Sequence, residues 1–335
     1  ILPLAVSFLV HPENRNVTAK NNVIIVQPNI DPYTEKYDVA STEVQIKQLI
    51  SLSEKNIDTS TRLVLWPETA LPVSVLQSQF QLSKDYSIVF DFVKRHPQVT
   101  LQTGIETYLN YGMEKATKTA RKSEGGGFYY DAFNSSVSIK AGEPIQFYNK
   151  SKLVPGVESL PDFLLWMGPV FEKFGGTAGG YGHDKKAIAF ATADNPYITA
   201  PIICYESIYG EYVSQYVQKG ANLLTVMTND GWWGNTPGYR QHLDYARLRA
   251  IETRKWVARS ANTGISAVIN SNGDVVEKTG WDVATFIKYA IPAITGETFF
   301  VRHGPLFYDL ALLLMCVFLI YHLIVIVKRR FGPGR

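Results

Sequence analysis

The sequence predicts an α/β fold with mixed sheets in layers, followed by one helix that crosses a membrane. Two observations lead there. Between residues 20 and 300, short β-branched runs alternate with segments whose apolar residues recur at helical spacing. Beyond them, Leu310–Val327 reads LALLLMCVFLIYHLIVIV, is extended by residues 306–308, and stops at Lys328-Arg329-Arg330. A run of about 20 apolar residues spans a bilayer core. The positive-inside rule then puts the basic tail, 328–335, in the cytoplasm and the preceding residues on the far side.

The elements follow in order. Ile1–Val10 is apolar but too short to span, and it reads as the end of a longer transmembrane helix cut off upstream. Val23–Gln27 is a strand. Residues 40–55 carry Val44, Ile46, Leu49, Ile50 and Leu52 at helical spacing. Arg62–Trp66 is a second strand, ended by Pro67. A helix around 83–95 and a strand over Val99–Gly104 come next. Tyr129–Ile139 and Pro144–Tyr148 flank a turn at Ala141-Gly142-Glu143 and read as antiparallel. Ala187–Phe190 and Ile198–Ile203 read as a further pair of strands, ending at Cys204. A helix over 210–218, a strand over Leu223–Met227 and a helix from Gln241 to about Trp256 follow. A hairpin over 265–278 closes the series, with Asn272-Gly273 favouring a type I′ turn. Residues 112–127 and 161–184 read as loops.

Bulk properties exclude several classes of function. The chain has 335 residues, 46% of them hydrophobic, and a net charge of +3 without a long Lys/Arg stripe, so nucleic acid is not the expected partner. The two cysteines, Cys204 and Cys316, sit in different contexts, which argues against a disulfide and excludes a paired-cysteine zinc site. No cluster has metal-ligand spacing. Gly125-Gly126-Gly127 lacks the neighbours of a phosphate or dinucleotide loop. No metal or cofactor is expected.

Three short segments carry the chemistry, each just past a strand. Cys204 stands between ITAPII and YESIYG, at a strand-to-helix turn where a helix dipole would lower its pKa and favour the thiolate. Glu68 follows Leu63–Pro67, at the strand end where α/β sheets bind ligands; beside Trp66 and Pro67 its proton affinity should rise by desolvation. Lys150, in YNKSKLVP, follows Ile145–Tyr148 and could hold an oxyanion. Each alone has an ordinary alternative: an inert buried thiol, a loop acid, a solvated lysine. His183 and His242 are alternative bases that nothing local marks.

WPET, YNKSKLVP and ICYES, in that order, resemble the three motifs of the nitrilase (carbon–nitrogen hydrolase) superfamily over about residues 20–290. That resemblance implies an αββα four-layer sandwich and a Glu–Lys–Cys triad of Glu68, Lys150 and Cys204. Within the superfamily, YNKSKLVPGVESLP, CYE, TNDGWWG at 228–234, and Gln241-His242 with the arginines and ANTG that follow are similar to the apolipoprotein N-acyltransferase branch. Two departures stand out: Lys152 replaces that branch's usual His, and Gly156-Val157 replaces its Phe-Gly.

The resemblance implies that Glu68 is the general base, that Lys150 stabilises the oxyanion, and that Cys204 is acylated. Glu158 and Glu206 are implied as supporting acids, with Tyr205 beside the nucleophile. It implies a ping-pong transfer of a fatty acyl chain from a phospholipid to the amine of a diacylglyceryl-cysteine on an apolipoprotein. It also implies a bacterial inner membrane as the setting, with the catalytic domain, 20–300, in the periplasm. Within FLLWMGPVFEKF, Trp166, Phe171 and Phe174 are expected to anchor an arm on the membrane surface or against acyl chains; a small satellite core is the alternative. Trp232-Trp233 lines an acyl pocket or packs in the core. Two rival functions stay open: a membrane-tethered amidase using the same triad, and a catalytically silent binding module.

Overall fold

The computed structural model describes residues 17–36, 41–159 and 180–331. Trp166, Phe171 and Phe174, and with them the expected arm, lie outside the described residues, as does Ile1–Val10.

Two sheets stack face to face. The first contains β1 (Val17–Gln27), β2 (Thr61–Leu65), β3 (Leu71–Leu76), β4 (Thr100–Asn110), β5 (Arg121–Lys122), β6 (Tyr129–Ile139) and β7 (Gln146–Asn149). The second contains β8 (Thr199–Ile203), β9 (Leu223–Thr228), β10 (Trp256–Ala261), β11 (Ala267–Ile269) and β12 (Val275–Lys278). The last strand, β13 (Thr285–Ile294), returns to the first sheet, giving the order β13-β1-β2-β4-β6-β5, with β3 on β4 and β7 on β6. The second sheet runs β12-β11-β10-β9-β8.

Four helices cover the outer faces: α1 (Thr42–Glu54), α2 (Ser87–Arg95), α3 (Gly210–Gln218) and α4 (Gly238–Thr253). The period of two in β1 shows why the layers form. Val23 and Ile25 enter the core shared with the second sheet, while Ile24 and Val26 enter the one shared with α1 and α2. Both faces of the first sheet are therefore buried, and β1 and β2 carry the unbroken apolar runs Val23–Val26 and Leu63–Leu65. Leu223, Thr225 and Met227 of β9 face the first sheet, where Thr225 accepts from Gln102 Nε2 at 2.8 Å, while Leu224, Val226 and Val257 face α3 and α4, which add Tyr212, Val213, Leu243 and Ala246 to the core. The result is the four-layer αββα sandwich.

Several expectations need correction. Ala187–Phe190 is not a strand: Phe190 makes a single isolated bridge to Thr199. The helix expected to reach Trp256 ends at Thr253, Arg254 reverses the chain with a φ of 55°, and Trp256 opens β10. The hairpin turn is not type I′, because that form needs positive φ at both central residues and here only Gly273 has it, at 87°. β3, β10 and β13 were not legible as strands. β13 pairs antiparallel with β1 from Val17↔Ile294 to Gln27↔Thr285, so its place depends on a partner far away in sequence.

The last helix, α5 (Phe299–Phe331), stands apart. Phe299–Val327 is long and apolar enough to cross a membrane, and Leu312, Leu314, Phe318, Ile320 and Leu323 are all exposed. Its base is tied to the sandwich. Gln218 Nε2 donates to the Val301 carbonyl at 2.6 Å, Thr298 Oγ1 donates to Glu252 O at 2.6 Å, and Lys255 Nζ donates to Gly296 O at 2.5 Å.

Candidate active site

Three strand ends bring Glu68, Lys150 and Cys204 to one end of the sandwich. Glu68 lies in the turn after β2. That turn is pressed onto Gly104 of β4: a Cβ there would overlap Thr69 N and stand 2.6 Å from Glu68 Cα, so only glycine fits. The β-branched Thr69 takes a φ of 45°, a strained backbone beside the carboxylate. Lys150 follows β7, held by its own N–H to Asn134 O at 2.9 Å. Cys204 follows β8 and opens a 3-10 turn with a φ of 49°, a sharp reversal of the chain.

The lysine links the acids. Lys150 Nζ donates to Glu158 Oε1 at 2.8 Å and to Glu68 Oε1 at 3.2 Å, with its side chain 1% exposed. Asn134 Nδ2 donates to the same two oxygens at 2.8 and 3.2 Å, respectively Glu68 and Glu158. Glu158 Oε2 is fixed by the Val154 N–H at 2.8 Å. Burial works against the Lys150 charge, but Glu158, Glu68 and Cys204 outweigh it and hold the ammonium's pKa well above its ordinary value.

Two electrostatic expectations reverse. Burial does raise the proton affinity of Glu68, but Lys150, a second lysine at position 36 and Asn134 outweigh it, and the carboxyl lies below its usual range. Trp66 contributes little there, since it points to the opposite face, stacking on Phe92 and donating to Ser53 Oγ at 2.9 Å. For Cys204, burial and the neighbouring Glu68 push the thiol up to about 12, against the pull of Lys150 and a hydrogen bond with Thr228. A turn of five residues is too short to offer a substantial helix dipole. At neutral pH the site therefore rests as a thiol facing an ionised carboxylate. In that state Cys204 needs a base, and Glu68 is in the form to serve as one.

The other expected residues take distinct places. Glu206 is fully buried behind the nucleophile turn and ties it to the Lys150 loop. Its Oε1 accepts from Tyr148 Oη at 2.5 Å, from Ser151 N at 2.7 Å and from Lys152 N at 3.2 Å, and its Oε2 accepts from Ile203 N at 2.9 Å. Burial raises it to about 7 in spite of these donors. Tyr205 is half-buried against the inter-sheet core and meets Tyr209 edge to face. Trp233 is 40% exposed and sets its edge on His242, so it is not core.

His242 is not a base for the thiol, because it addresses the backbone. Its Nε2 is 3.0 Å from Cys204 O, which also accepts from Ser207 Oγ at 2.9 Å. Its Nδ1 is 3.1 Å from Asp230 Oδ1, and Arg259 NH2 grips both Asp230 oxygens at 2.9 Å. Gly264 makes room for this pair: a Cβ there would collide with the Asp230 carboxylate. Sequence reasoning missed Asn134 and Lys36, while Asp230 and Arg259 stood within segments similar to the acyltransferase branch but carried no assigned role. Among the described residues no group of His, Cys, Asp and Glu is placed to hold a metal ion.

The sequence model of the carbon–nitrogen hydrolase family matches residues 22–298. The chain belongs to the carbon–nitrogen hydrolase family. It is 33% identical over 300 residues to an apolipoprotein N-acyltransferase of Chlorobaculum tepidum, covering 87% of this chain and 55% of that protein. It is 31% identical over 312 residues to the enzyme of the same name from Bradyrhizobium diazoefficiens, covering 90% and 53%. The chain thus spans about half the length of these curated relatives. Among solved structures, Nit3 of Saccharomyces cerevisiae superposes with a TM-score of 0.55 at 17% identity, over 82% of this chain and 91% of that one. A CN-hydrolase superfamily protein of Xanthomonas campestris gives 0.53 at 15% identity, with the same coverage. These two likenesses concern the fold.

Proposed function

We propose that this chain is the acyl-transferring part of an apolipoprotein N-acyltransferase, working by a ping-pong mechanism on Glu68, Lys150 and Cys204. The observation that carries the reading is the buried cluster itself, Cys204 with Glu68 held 3.2 Å from Lys150, in a chain that continues into a long exposed apolar helix.

In the first half-reaction Glu68 takes the thiol proton as sulfur attacks the ester carbonyl of a phospholipid. The Lys150 ammonium stabilises the oxyanion, the C–O bond breaks, and Glu68 returns the proton to the leaving alcohol. In the second half-reaction the α-amine of a diacylglyceryl-cysteine attacks the thioester. Glu68 accepts the amine's proton, the C–S bond breaks, and the proton passes to the departing sulfur. Glu158 holds Lys150 in place, and Glu206 locks the nucleophile turn to the Lys150 loop. α5 crosses the bacterial inner membrane with its basic end in the cytoplasm, leaving the sandwich in the periplasm. The segment with Trp166, Phe171 and Phe174 serves as the arm that meets lipid, and Trp233 serves as a wall of the acyl pocket.

The test is intact mass of the full-length, membrane-embedded protein after incubation with phospholipid alone, with Cys204→Ser as control. The expected result is a gain of one fatty-acyl mass, released by hydroxylamine and absent from the variant. No adduct on a folded protein whose Cys204 still reacts with a small alkylating agent would favour an amidase on the same triad.

A further inference from the structure

With Glu158 beside it, the triad is left with unbalanced charge. Glu68 and Glu158 share one cation, Lys150, in a site where the sulfur must also become negative. Lys36 answers this imbalance. It lies on the loop after β1, is 3% exposed, and donates from Nζ to the main-chain carbonyl of Glu68 at 3.0 Å. A lysine is seldom buried unless it is paired. Three groups act on its charge: Glu68, Glu106 of β4, and Cys204. Glu106 is itself oriented by Tyr181, whose hydroxyl donates to Oε1 at 2.6 Å, and it also lies within the field of Arg121. The charged and titratable groups bearing on Glu68 are accordingly Lys150 on one side and Lys36 on the other, with Cys204 and the Lys150-bound Glu158 completing the cluster.

We propose that Lys36 is a positioning residue for the reaction: pinned to the Glu68 main chain and backed by Glu106, it keeps the Glu68 carboxylate ionised and gives the thiol site a second positive charge. Its hydrogen bond goes to the carbonyl of Glu68 and leaves the carboxylate to Lys150 and Asn134. Lys36 thus acts on the carboxylate through space, without occupying the oxygens that take the proton. Burial draws Lys36 down to about 8 against the pull of Glu68, Glu106 and Cys204, so it is mainly charged at neutral pH.

The inference rests on Glu68 being the base for Cys204, so the experiment reads that step without any acyl substrate. The rate of Cys204 alkylation by iodoacetamide is followed from pH 4 to 8 in the full-length protein and in Glu68→Gln, Lys36→Gln and Lys36→Arg. Gln keeps a donor for the Glu68 carbonyl and loses the charge; Arg keeps the charge. The expected result is an acid limb that moves up by about one pH unit or more in Lys36→Gln and stays with the wild type in Lys36→Arg. Lys36→Met, checked for fold by circular dichroism, repeats the neutral substitution without the donor and should shift the limb likewise. An acid limb that moves in Glu68→Gln but coincides with the wild type in folded Lys36→Gln or Lys36→Met overturns the role of Lys36 alone. A profile that ignores Glu68→Gln overturns the base assignment, and this inference with it.

Discussion

Cys204 has a buried charged cluster on either side, and the two are built on opposite principles. Toward the cleft, Lys150 divides itself between Glu68 and Glu158, Lys36 stands opposite, and the carboxylates outnumber the lysines once Glu106 is counted. Behind the backbone, Asp230 is matched by Arg259 through two bonds of 2.9 Å and by His242, and the whole set presses on a carbonyl. Protons can move on the cleft side because several acids and bases compete there. On the back side each charge has a fixed partner, and the set holds the strained φ of Cys204 in place. The difference teaches which buried charges to associate with rate and which with architecture.

The sharpest way to break this comparison is Glu68→Gln. It should lower thioester formation by about 10²- to 10⁴-fold, measured by intact mass over time, with the unfolding midpoint nearly unchanged. If stability falls as much as rate, the cleft cluster is architecture too. Arg259→Leu should do the reverse. It strands the Asp230 charge and should cost about 3–5 kcal/mol in denaturant unfolding, while the molecules that remain folded keep most of their Cys204 reactivity.

Glu206 sharpens the contrast through pH. Its folded value of about 7 exceeds the ordinary 4.5, so the folded state holds the proton more tightly than the unfolded chain does. Stability should therefore fall as pH rises from about 4.5 to 7, by about 1–3 kcal/mol, and the slope should vanish in Glu206→Gln. The smallest effect is expected from Thr228→Val. Loss of its hydrogen bond to the thiol should slow alkylation of Cys204 by several-fold, about 1 kcal/mol, without affecting the fold.

Much of this molecule was legible before its structure was known, because local rules governed it. Glu68, Lys150 and Cys204 each follow a strand whose apolar run marks its own end, and α5 announces itself by length and composition. What sequence reasoning missed depends on distant partners. β13 is a strand because β1 lies beside it, and Trp256 starts β10 because β9 and β11 flank it. Asn134, Lys36 and Asp230 join the site by contacts across 66, 32 and 12 residues of sequence, to Glu68, Glu68 and His242 respectively. The two reversed pKa directions have the same origin. Desolvation can be guessed from a neighbouring tryptophan, but the cations that outweigh it at Glu68 come from the loop after β1 and the end of β7.

The junction between sandwich and apolar helix carries a geometric consequence. Three hydrogen bonds, from Gln218, Thr298 and Lys255, clamp the base of α5 and the short segment before it to the body. With α5 in the bilayer as proposed above, these contacts set the altitude of Cys204 over the lipid surface. On the function proposed above, that altitude works as a ruler: an acceptor is selected by how far its modified end can rise from the bilayer as well as by its chemistry.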